Sequence, residues 1–189
     1  MASHPTRQGR SRRYEFTVPA EFASPAIARS IALLGELSER HFDLIEDLPA
    51  EALNLLPHGA PSTIAMITGH LAQGEAFWLT HLTGETPPSD LADALQDARS
   101  ACPTSLDAAG LIQLCRRVRG DFTERLLRGV TDSEAPIQDG PRTLTASGVL
   151  MHLIWHWTYH SGQTGLLRMQ ADCDYDWALH PRFTGFTDE

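Results

Sequence analysis

Residues 150–163 read LMHLIWHWTYHSGQ. This segment places His152, His156 and His160 at successive steps of four, and residues four apart lie above one another on one face of an α-helix. At about 100° per residue, the three imidazoles and the Gln163 amide fall within about 40° of His156 on the helical wheel. The segment therefore predicts a helix with a stripe of imidazole and amide groups along one face.

This stripe is predicted to face the protein interior, because Val149 and Leu167 extend the same line and Leu153 flanks it. A buried polar group without a partner costs about 1–3 kcal/mol, so several of them on one inward stripe need a common cause. A bound metal ion is one such cause, since neutral imidazole is the commonest side-chain ligand for zinc, nickel and iron. The alternative is a set of unrelated core histidines, each hydrogen-bonded to a neighbour. The stripe alone leaves both interpretations open.

The length and the charge of the chain limit the classes of protein to which it can belong. With 189 residues, it is long enough for one domain with a sizeable core and too short to expect two. The formal net charge of −9 opposes a general binder of nucleic acid or of anionic membranes, because both surfaces are negative. Basic residues without any acid mark the first 13 positions. We interpret residues 1–20 as a disordered basic arm, with weak contact to a polyanion as the alternative.

Targeting and redox signals are few. No apolar run of signal-peptide length follows the N-terminal arginines, and no run approaches the roughly 18–20 residues of a membrane span. Cys102, Cys115 and Cys173 form an odd, widely spaced set without a Cys-x-x-Cys pattern, which is typical of reduced thiols in the cytosol. The sequence therefore predicts a cytoplasmic protein without a disulfide framework.

Hydrophobic periodicity and helix-end signals predict an all-α fold with four long helices over residues 21–170. In chain order, the helices and their end signals are Ser24-Pro25 to Pro49, Ser62 to Leu82 with a stop at Gly84, the capping box Thr104-Ser105-Leu106-Asp107 to Gly129, and Thr143 to Gln170. An acidic, proline-rich connector between the second and third helices is predicted to hold a short helix, Ser89 to Arg99. Residues 171–189 are expected to pack as an irregular strap, and no β-strand alternation of useful length appears.

Three further histidines lie on the first two helices. His70 projects from an apolar face beside Met66 and Gly74, where a lone histidine is usually a satisfied core residue. His70 is a stronger candidate ligand than an isolated histidine would be, because the predicted fourth helix already offers a pair of histidines four residues apart. His81 lies about 16 Å from His70 along the helix axis, at 1.5 Å per residue, and cannot share its site. We interpret His81 as a structural or rim residue and His41 as a surface or rim residue.

The sequence also predicts which side chains of the third and fourth helices face solvent. In the third, we expect the arginines at positions 116, 117 and 119 to face solvent, whereas Cys115 lies on the apolar line and acts as a small hydrophobe. The fourth is apolar on nearly every side, so its far side needs a cover, either the C-terminal segment or a second subunit. Gly162 and Gly165 would permit close approach, which favours a homodimer.

Two motifs of the chain resemble the DinB/YfiT-like family. The first is STIAMITGH, residues 62–70, which continues to Glu75 and Trp78. The second is HWTYHSGQ, residues 156–163, which has the form His-x-x-x-His-x-Gly-Gln. The resemblance covers about residues 25–170, and it implies a DinB-like four-helix bundle.

The resemblance also implies a divalent metal ion held by three histidines. Carried over by position, these ligands are His70, His156 and His160. His152 then lies one turn outside the pair on the fourth helix. The chain differs from the family pattern at two places: Ser161 stands where arginine is often found, and Trp157 stands where an acidic residue is frequent. Both positions adjoin a candidate ligand and can alter its surroundings.

The family includes thiol-dependent transferases and isomerases that use low-molecular-weight thiols such as mycothiol or bacillithiol. The resemblance therefore implies an enzyme that uses a divalent metal ion to activate such a thiol, or water, against a small electrophilic substrate. Zinc, nickel, iron and manganese all tolerate imidazole, so the sequence does not identify the metal. Gln163 is the candidate catalytic residue, because it could orient a water or a ligand; a bond to a neighbouring helix backbone is the alternative.

The alternative function is a non-catalytic, metal-binding, stress-associated protein. It is favoured by the absence of a clear general acid or base beside the histidines, since Glu75 lies about 140° from His70 on the helical wheel at about 100° per residue. DNA binding is opposed by the acidic body of the chain and by the lack of a recognition motif.

Overall fold

The structure of the protein is a computed structural model, which describes residues 7–8, 17–99 and 106–176. These residues are mostly helical. The helices are α1 (Pro25–Ile45), α2 (Ala50–Leu53), α3 (Ile64–Thr83), α4 (Ser89–Arg99), α5 (Ala108–Arg117), α6 (Arg125–Leu127) and α7 (Ala146–Gln170), with a π-helical segment, Val118–Glu124, between α5 and α6. The strands are β1 (Arg7–Gln8), β2 (Ile137–Asp139), β3 (Arg142–Leu144) and β4 (Tyr175–Asp176). None of the described helices combines the length and the apolar character needed to cross a membrane.

Side-chain caps determine where the first two long helices begin. The Ser24 hydroxyl accepts from the N–H of Ile27 at the start of α1, and the Thr63 hydroxyl accepts from the N–H of Met66 at the start of α3. α3 ends at Gly84, which has a φ of 75° in the left-handed region. The structure confirms these two helices and the short connector helix α4, but α1 ends at Ile45, before the predicted end at Pro49, and the unpredicted helix α2 follows.

The third long helix begins later than predicted and changes its geometry. Asp107 is the N-cap of α5, where its carboxylate accepts from the N–H of Gly110. Thr104 and Ser105, the first two residues of the predicted capping box, lie outside the described residues. After Arg117 the chain follows the π-helical segment and then α6, so the predicted continuous helix is three consecutive helical pieces.

The fourth long helix also begins later than predicted. Thr143 lies in β3, which pairs antiparallel with β2 across a turn at Gly140, whose φ is 58°. α7 starts only at Ala146, after the Thr145 hydroxyl accepts from the N–H of Gly148. No sequence pattern indicated this hairpin, although the fold is mostly helical as predicted. Its strands of three residues are too short to produce a detectable alternation of apolar and polar side chains.

Arg119, in the π-helical segment, is buried, so the prediction that it faces solvent is wrong. The cause is Glu75 on α3, a buried carboxylate that needs a cation. Arg119 donates from Nε and Nη2 to the two carboxylate oxygens of Glu75, at 2.6 and 2.8 Å. Its neighbours Arg116 and Arg117 keep partly exposed side chains, as predicted.

α7 packs against α1 and α3, and α3 also contacts α4, α5 and the π-helical segment. Fully buried apolar side chains from each of these helices form the core, among them Ile27, Leu34, Leu71, Leu79, Leu91, Leu111, Val118, Phe122, Leu153 and Trp157. Val149 and Leu167 are buried too, so the face of α7 that carries the histidine stripe points inward as predicted. Because α3 and α7 are neighbours, this face meets the face of α3 that carries His70.

The C-terminal end of α7 and the residues that follow it are hydrogen-bonded to the C-terminal end of α1 and the residues just after it. Arg168 is almost fully buried and donates to the Asp47 carboxylate at 2.6 and 2.7 Å and to the Leu44 carbonyl at 2.8 Å. The Tyr175 hydroxyl donates to the carboxylate of Asp43. β4 pairs in parallel with β1, two residues of the predicted N-terminal arm. The aromatic residues of the predicted strap lie outside the described residues: Trp177, Phe183 and Phe186.

Two of the three cysteines are described, and both are buried free thiols. Burial raises the pKa of the Cys115 thiol to about 12, and burial also raises the pKa of Cys173. A thiol with a raised pKa is a poor nucleophile and a poor metal ligand, so Cys115 acts as a small hydrophobe, as predicted. Cys102 lies outside the described residues.

Candidate metal centre

The facing sides of α3 and α7 bring three histidines together. One ring nitrogen from each of His70, His156 and His160 lies within 4.8 Å of the other two. The Nε2 atoms of His70 and His156 are 2.9 Å apart. Two imidazole nitrogens that bind one zinc ion at about 2.0–2.1 Å each lie roughly 3–3.5 Å apart, so this pair is close to the spacing that a shared ion requires. The structure thus assembles the three residues that the family resemblance implies as ligands.

A glycine on α3 leaves the space that His156 occupies. A Cβ atom at Gly74 would lie 2.8 Å from Cε1 of His156 and 3.3 Å from its Nδ1, and real Cβ atoms essentially never approach a heavy atom as closely as 2.8 Å. Any larger residue at Gly74 would therefore displace the imidazole. Periodicity placed Gly74 on the apolar face beside His70, but it carries no information on contacts across two helices.

Gln163 determines which nitrogen of His160 faces the site. Oε1 of Gln163 lies 2.7 Å from Nδ1 of His160. Because an amide oxygen can only accept, Nδ1 of His160 carries the proton and donates, which leaves the lone pair on Nε2. Gln163 therefore contacts a candidate ligand rather than the backbone of a neighbouring helix, and its role here is to position His160.

His156 is the most buried of the three histidines, and its Nδ1 has no hydrogen-bond partner. An unpaired polar nitrogen in a buried position costs about 1–3 kcal/mol. An ion bound at Nε2 would not contact Nδ1, so the fit to a metal ion rests instead on the ring nitrogens of the three histidines, which lie within 4.8 Å of one another. Imidazole nitrogens are a donor set that zinc, nickel and iron accept.

The three imidazoles are held in their neutral form. Burial lowers the pKa of His156 to about 3, and the neighbouring His160, His70 and His152 lower it too. Burial also lowers the pKa of His70 and of His160, although the hydrogen bond with Gln163 acts in the opposite direction on His160. A neutral imidazole keeps the lone pair that binds a metal, so no proton needs to leave before an ion can bind near pH 7.

His41 is buried in the core, so its interpretation as a surface or rim residue is wrong. The Thr68 hydroxyl donates to the Ile64 carbonyl and therefore accepts from His41 Nε2 at 3.0 Å. Nδ1 of His41 is then free to accept from the Ser161 hydroxyl at 3.3 Å. The signal was available, since position 41 continues the i, i+3, i+4 spacing of the buried apolar residues of α1.

The two positions at which the chain differs from the usual family pattern both contact His41. Ser161 is its hydrogen-bond partner, and the Trp157 ring packs edge-on against the imidazole with ring centroids 5.6 Å apart. Burial lowers the pKa of His41 to about 3, with a further contribution from His160. A neutral, fully packed histidine thus supports α7 from the α1 side, behind the candidate ligands.

The two other histidines singled out from the sequence do not join the three. His152 stacks on His156 with ring centroids 5.7 Å apart and packs edge-on against Trp78. His81 packs against Phe77, and its Nδ1 lies 3.0 Å from an oxygen of the Asp139 carboxylate on the hairpin. Both therefore have partners outside the cluster, in agreement with their interpretation.

Two cavities meet at the three histidines, and His70 lines both. The first has a volume of about 550 Å³ and is bounded by Phe77, Trp78, His152 and residues of α4. The second has a volume of about 470 Å³, and its wall includes the amide of Gln163 and the ring of Tyr159. No Asp, Glu, Lys or Arg of the described residues is among those that line either cavity. The candidate ligands are therefore accessible to small molecules through walls whose described residues include no ionisable carboxylate, ammonium or guanidinium group.

A family model described as the DinB superfamily matches residues 19–164. The chain belongs to the DinB superfamily. The match includes all three histidines, and it confirms the resemblance identified from the two motifs. No curated protein matches the sequence. Membership and the three-histidine cluster together make this DinB-superfamily chain compatible with metal binding.

Proposed function

We propose that this DinB-superfamily protein binds a divalent metal ion through His70, His156 and His160, in a four-helix bundle built from α1, α3, α7 and the helical pieces that follow Asp107. We further propose that it is an enzyme that activates a low-molecular-weight thiol, or water, against a small electrophilic substrate. The observation that carries the proposal is the convergence of three neutral imidazoles at the junction of two cavities.

The chemistry follows from the number and the type of the ligands. Three histidines leave coordination positions for water or substrate, as in catalytic rather than closed structural sites. When bound, a divalent ion supplies Lewis acidity, which lowers the pKa of a coordinated water or thiol. Gln163 keeps Nε2 of His160 directed at the site, and Gly74 preserves the space for His156. The chain itself thus provides orientation and access.

The two cavities offer separate approaches for two reactants. The first has an aromatic wall, formed by Phe77 and Trp78, which suits an apolar or planar electrophile. The second presents the amide groups of Gln163 and Gln170 and the hydroxyl of Ser62, which suit a polar thiol. No carboxylate among the described residues lines either cavity, so a bound ion would serve to lower the pKa of the thiol or water, and the proton would pass to solvent.

Catalysis can be tested with purified protein loaded with metal. We expect thiol transfer or hydrolysis of at least one compound in a broad panel of small electrophiles, and loss of that activity in a His156→Ala variant and after chelation. The His152→Ala variant is the control, because it should keep its metal content. Absence of activity across the panel, together with no shift in melting temperature by any substrate analogue, would contradict the enzymatic proposal.

A second candidate function is a non-catalytic metal-binding protein. It is favoured by cavity walls whose described residues include no carboxylate, ammonium or guanidinium group, and by the engagement of Glu75 with Arg119, which leaves that carboxylate without a catalytic role. The two functions differ in how solvent reaches the ion. With Mn²⁺ as the probe, water relaxation should reveal rapidly exchanging water at an open site, whereas a closed site would show none.

A further inference from the structure

α7 has an exposed face that none of the described residues covers. We call it the α7 outer face, and its seven positions are Gly148, Met151, Trp155, Tyr159, Gly162, Leu166 and Met169. They recur at steps of three and four, so they form one stripe along the helix, about 32 Å long at 1.5 Å per residue. The five large side chains in this stripe are 51–66% exposed. The chain thus presents a continuous apolar surface over six turns of its longest helix.

The α7 outer face contains no charged residue, although 21% of the chain is charged and its net charge is −9. Exposed apolar patches of this kind mark interaction sites. Two copies of an acidic protein repel each other over most of their surfaces, but an uncharged face can meet itself without placing like charges in contact. The charge distribution therefore favours a second copy of this chain as the occupant.

The order of large and small residues supports the same occupant. When two α7 helices pack antiparallel about a two-fold axis near position 158, Trp155 of each copy lies opposite Gly162 of the other. Met169 then lies opposite Gly148, and Met151 opposite Leu166. Nothing lies within 4 Å of a Cβ atom placed at Gly162, so this position is open to receive the tryptophan ring. The stripe is thus self-complementary in size as well as in charge.

The apolar area of the α7 outer face is large enough for the centre of a stable dimer interface. If each of the five large side chains is given about 150–250 Å², their exposed fractions amount to roughly 450–750 Å² of apolar surface in each copy. A standard interface buries about 800 Å² from each partner. The apolar stripe would form the centre of such an interface, and a polar rim would supply the remaining area. Thr158 and Gln170 are exposed beside the stripe and provide such a rim.

We propose that the protein forms a two-fold homodimer through antiparallel packing of the α7 outer face. Tyr159 and Leu166 belong to this face and also line the cavity that contains Gln163. The second copy therefore covers one side of the cavity next to the candidate metal ligands. This proposal does not depend on the identity of the metal or on catalysis.

The oligomeric state of the full chain tests the proposal, by analytical ultracentrifugation over a wide concentration range. We expect a dimer at micromolar concentration, and an increase of the dissociation constant by about 30-fold or more in Trp155→Glu, as for loss of a central interface tryptophan. Leu56→Glu is the matched control, because Leu56 is equally exposed but lies outside α7, and it should leave association unchanged. Metal content should stay the same in both variants.

A size exchange tests the predicted register. Gly162→Trp alone should weaken the dimer, because it places two large rings opposite each other, and the double variant Trp155→Gly/Gly162→Trp should restore association in part. A monomer at all concentrations would overturn the proposal, as would a dimer that neither Trp155→Glu nor Gly162→Trp weakens. A monomer that Trp155→Glu destabilises would instead assign the face to another segment of the same chain. Circular dichroism confirms that each variant is folded.

Discussion

α3 contributes to two polar clusters that differ in how completely they are buried and paired. Glu75 and Arg119 share two hydrogen bonds, and Arg119 also reaches the Ser38 hydroxyl at 3.4 Å. Among the three histidines, by contrast, Nδ1 of His156 has no partner and cavities adjoin the rings. The charges of Glu75 and Arg119 are thus paired with each other, which indicates a structural role. The histidine cluster retains the capacity to bind something further.

The largest expected effect is on the paired cluster. Glu75→Gln leaves the buried Arg119 guanidinium without its hydrogen-bonded carboxylate, and the loss of one partner of a buried pair costs about 3–5 kcal/mol of unfolding free energy. Chemical denaturation measures this cost. The control is Glu85→Gln, which breaks the exposed pair with Arg125 and should cost less than about 1 kcal/mol. Equal effects of the two substitutions would contradict a structural role for the buried pair.

The next effect concerns the cluster with the unpaired nitrogen. His156→Ala should remove bound metal and, with it, the stabilisation that a ligand gives, about 3–4 kcal/mol when free metal exceeds its dissociation constant 100- to 1,000-fold. Thermal unfolding with and without chelator measures this difference. His152→Ala should keep the chelator-sensitive stability, because His152 stacks on His156 but does not join the three donors. If His152→Ala lost the chelator-sensitive stability and His156→Ala kept it, the assignment of the ligands would be wrong.

His41 gives a smaller, pH-dependent effect, because it is buried in a neutral form. Its pKa is about 3 in the folded protein against about 6.5 unfolded, so the unfolded chain binds the proton first as the pH falls. The stability that depends on its neutrality is present above about pH 6.5 and is lost between pH 6.5 and 3, by about 1–2 kcal/mol at pH 5. In chelator, His41→Gln should have a flatter pH dependence than the wild type. An unchanged slope would contradict this role.

Gly74→Ala should give the smallest change in stability. It separates the effect of a substitution on helix stability from its effect on metal binding. Alanine favours a helix over glycine by about 1 kcal/mol, but at Gly74 its Cβ would collide with His156. We expect weaker metal binding without the gain in stability. Gly35→Ala on α1 meets no atom within 4 Å and should show the gain with unchanged metal binding. Isothermal titration and thermal unfolding separate the two outcomes, and tight metal binding by Gly74→Ala would refute the close contact.

Sequence reasoning located the helices well where periodicity and end signals agree. Ser24 and Gly84 act at helix ends as predicted, because capping is a local property of the chain. The start of α7 was placed too early, since the pairing of β2 with β3 depends on contacts across a hairpin. The burial of Arg119 was missed because it depends on a carboxylate from another helix, Glu75 on α3.

The candidate site was predicted in part from the residues and in part from the family. Helical spacing identified the stripe on α7, but it could not choose between His152 and His160 as the partner of His156. The resemblance made that choice, and the structure groups His160 with His70 and His156. The contact of Gln163 with His160 and the space left at Gly74 depend on rotamers and on helix packing, which a one-dimensional pattern does not contain.

The most direct test of the central claim is the metal stoichiometry of the untagged protein, measured by elemental analysis together with X-ray absorption at the edge of the metal found. We expect one divalent ion per chain, with three imidazole nitrogens among its ligands at about 2.0–2.1 Å for zinc. We also expect loss of that signal in His156→Ala but not in His152→Ala. A chain that binds no stoichiometric ion after loading, or a His156→Ala variant that retains it, would contradict the claim.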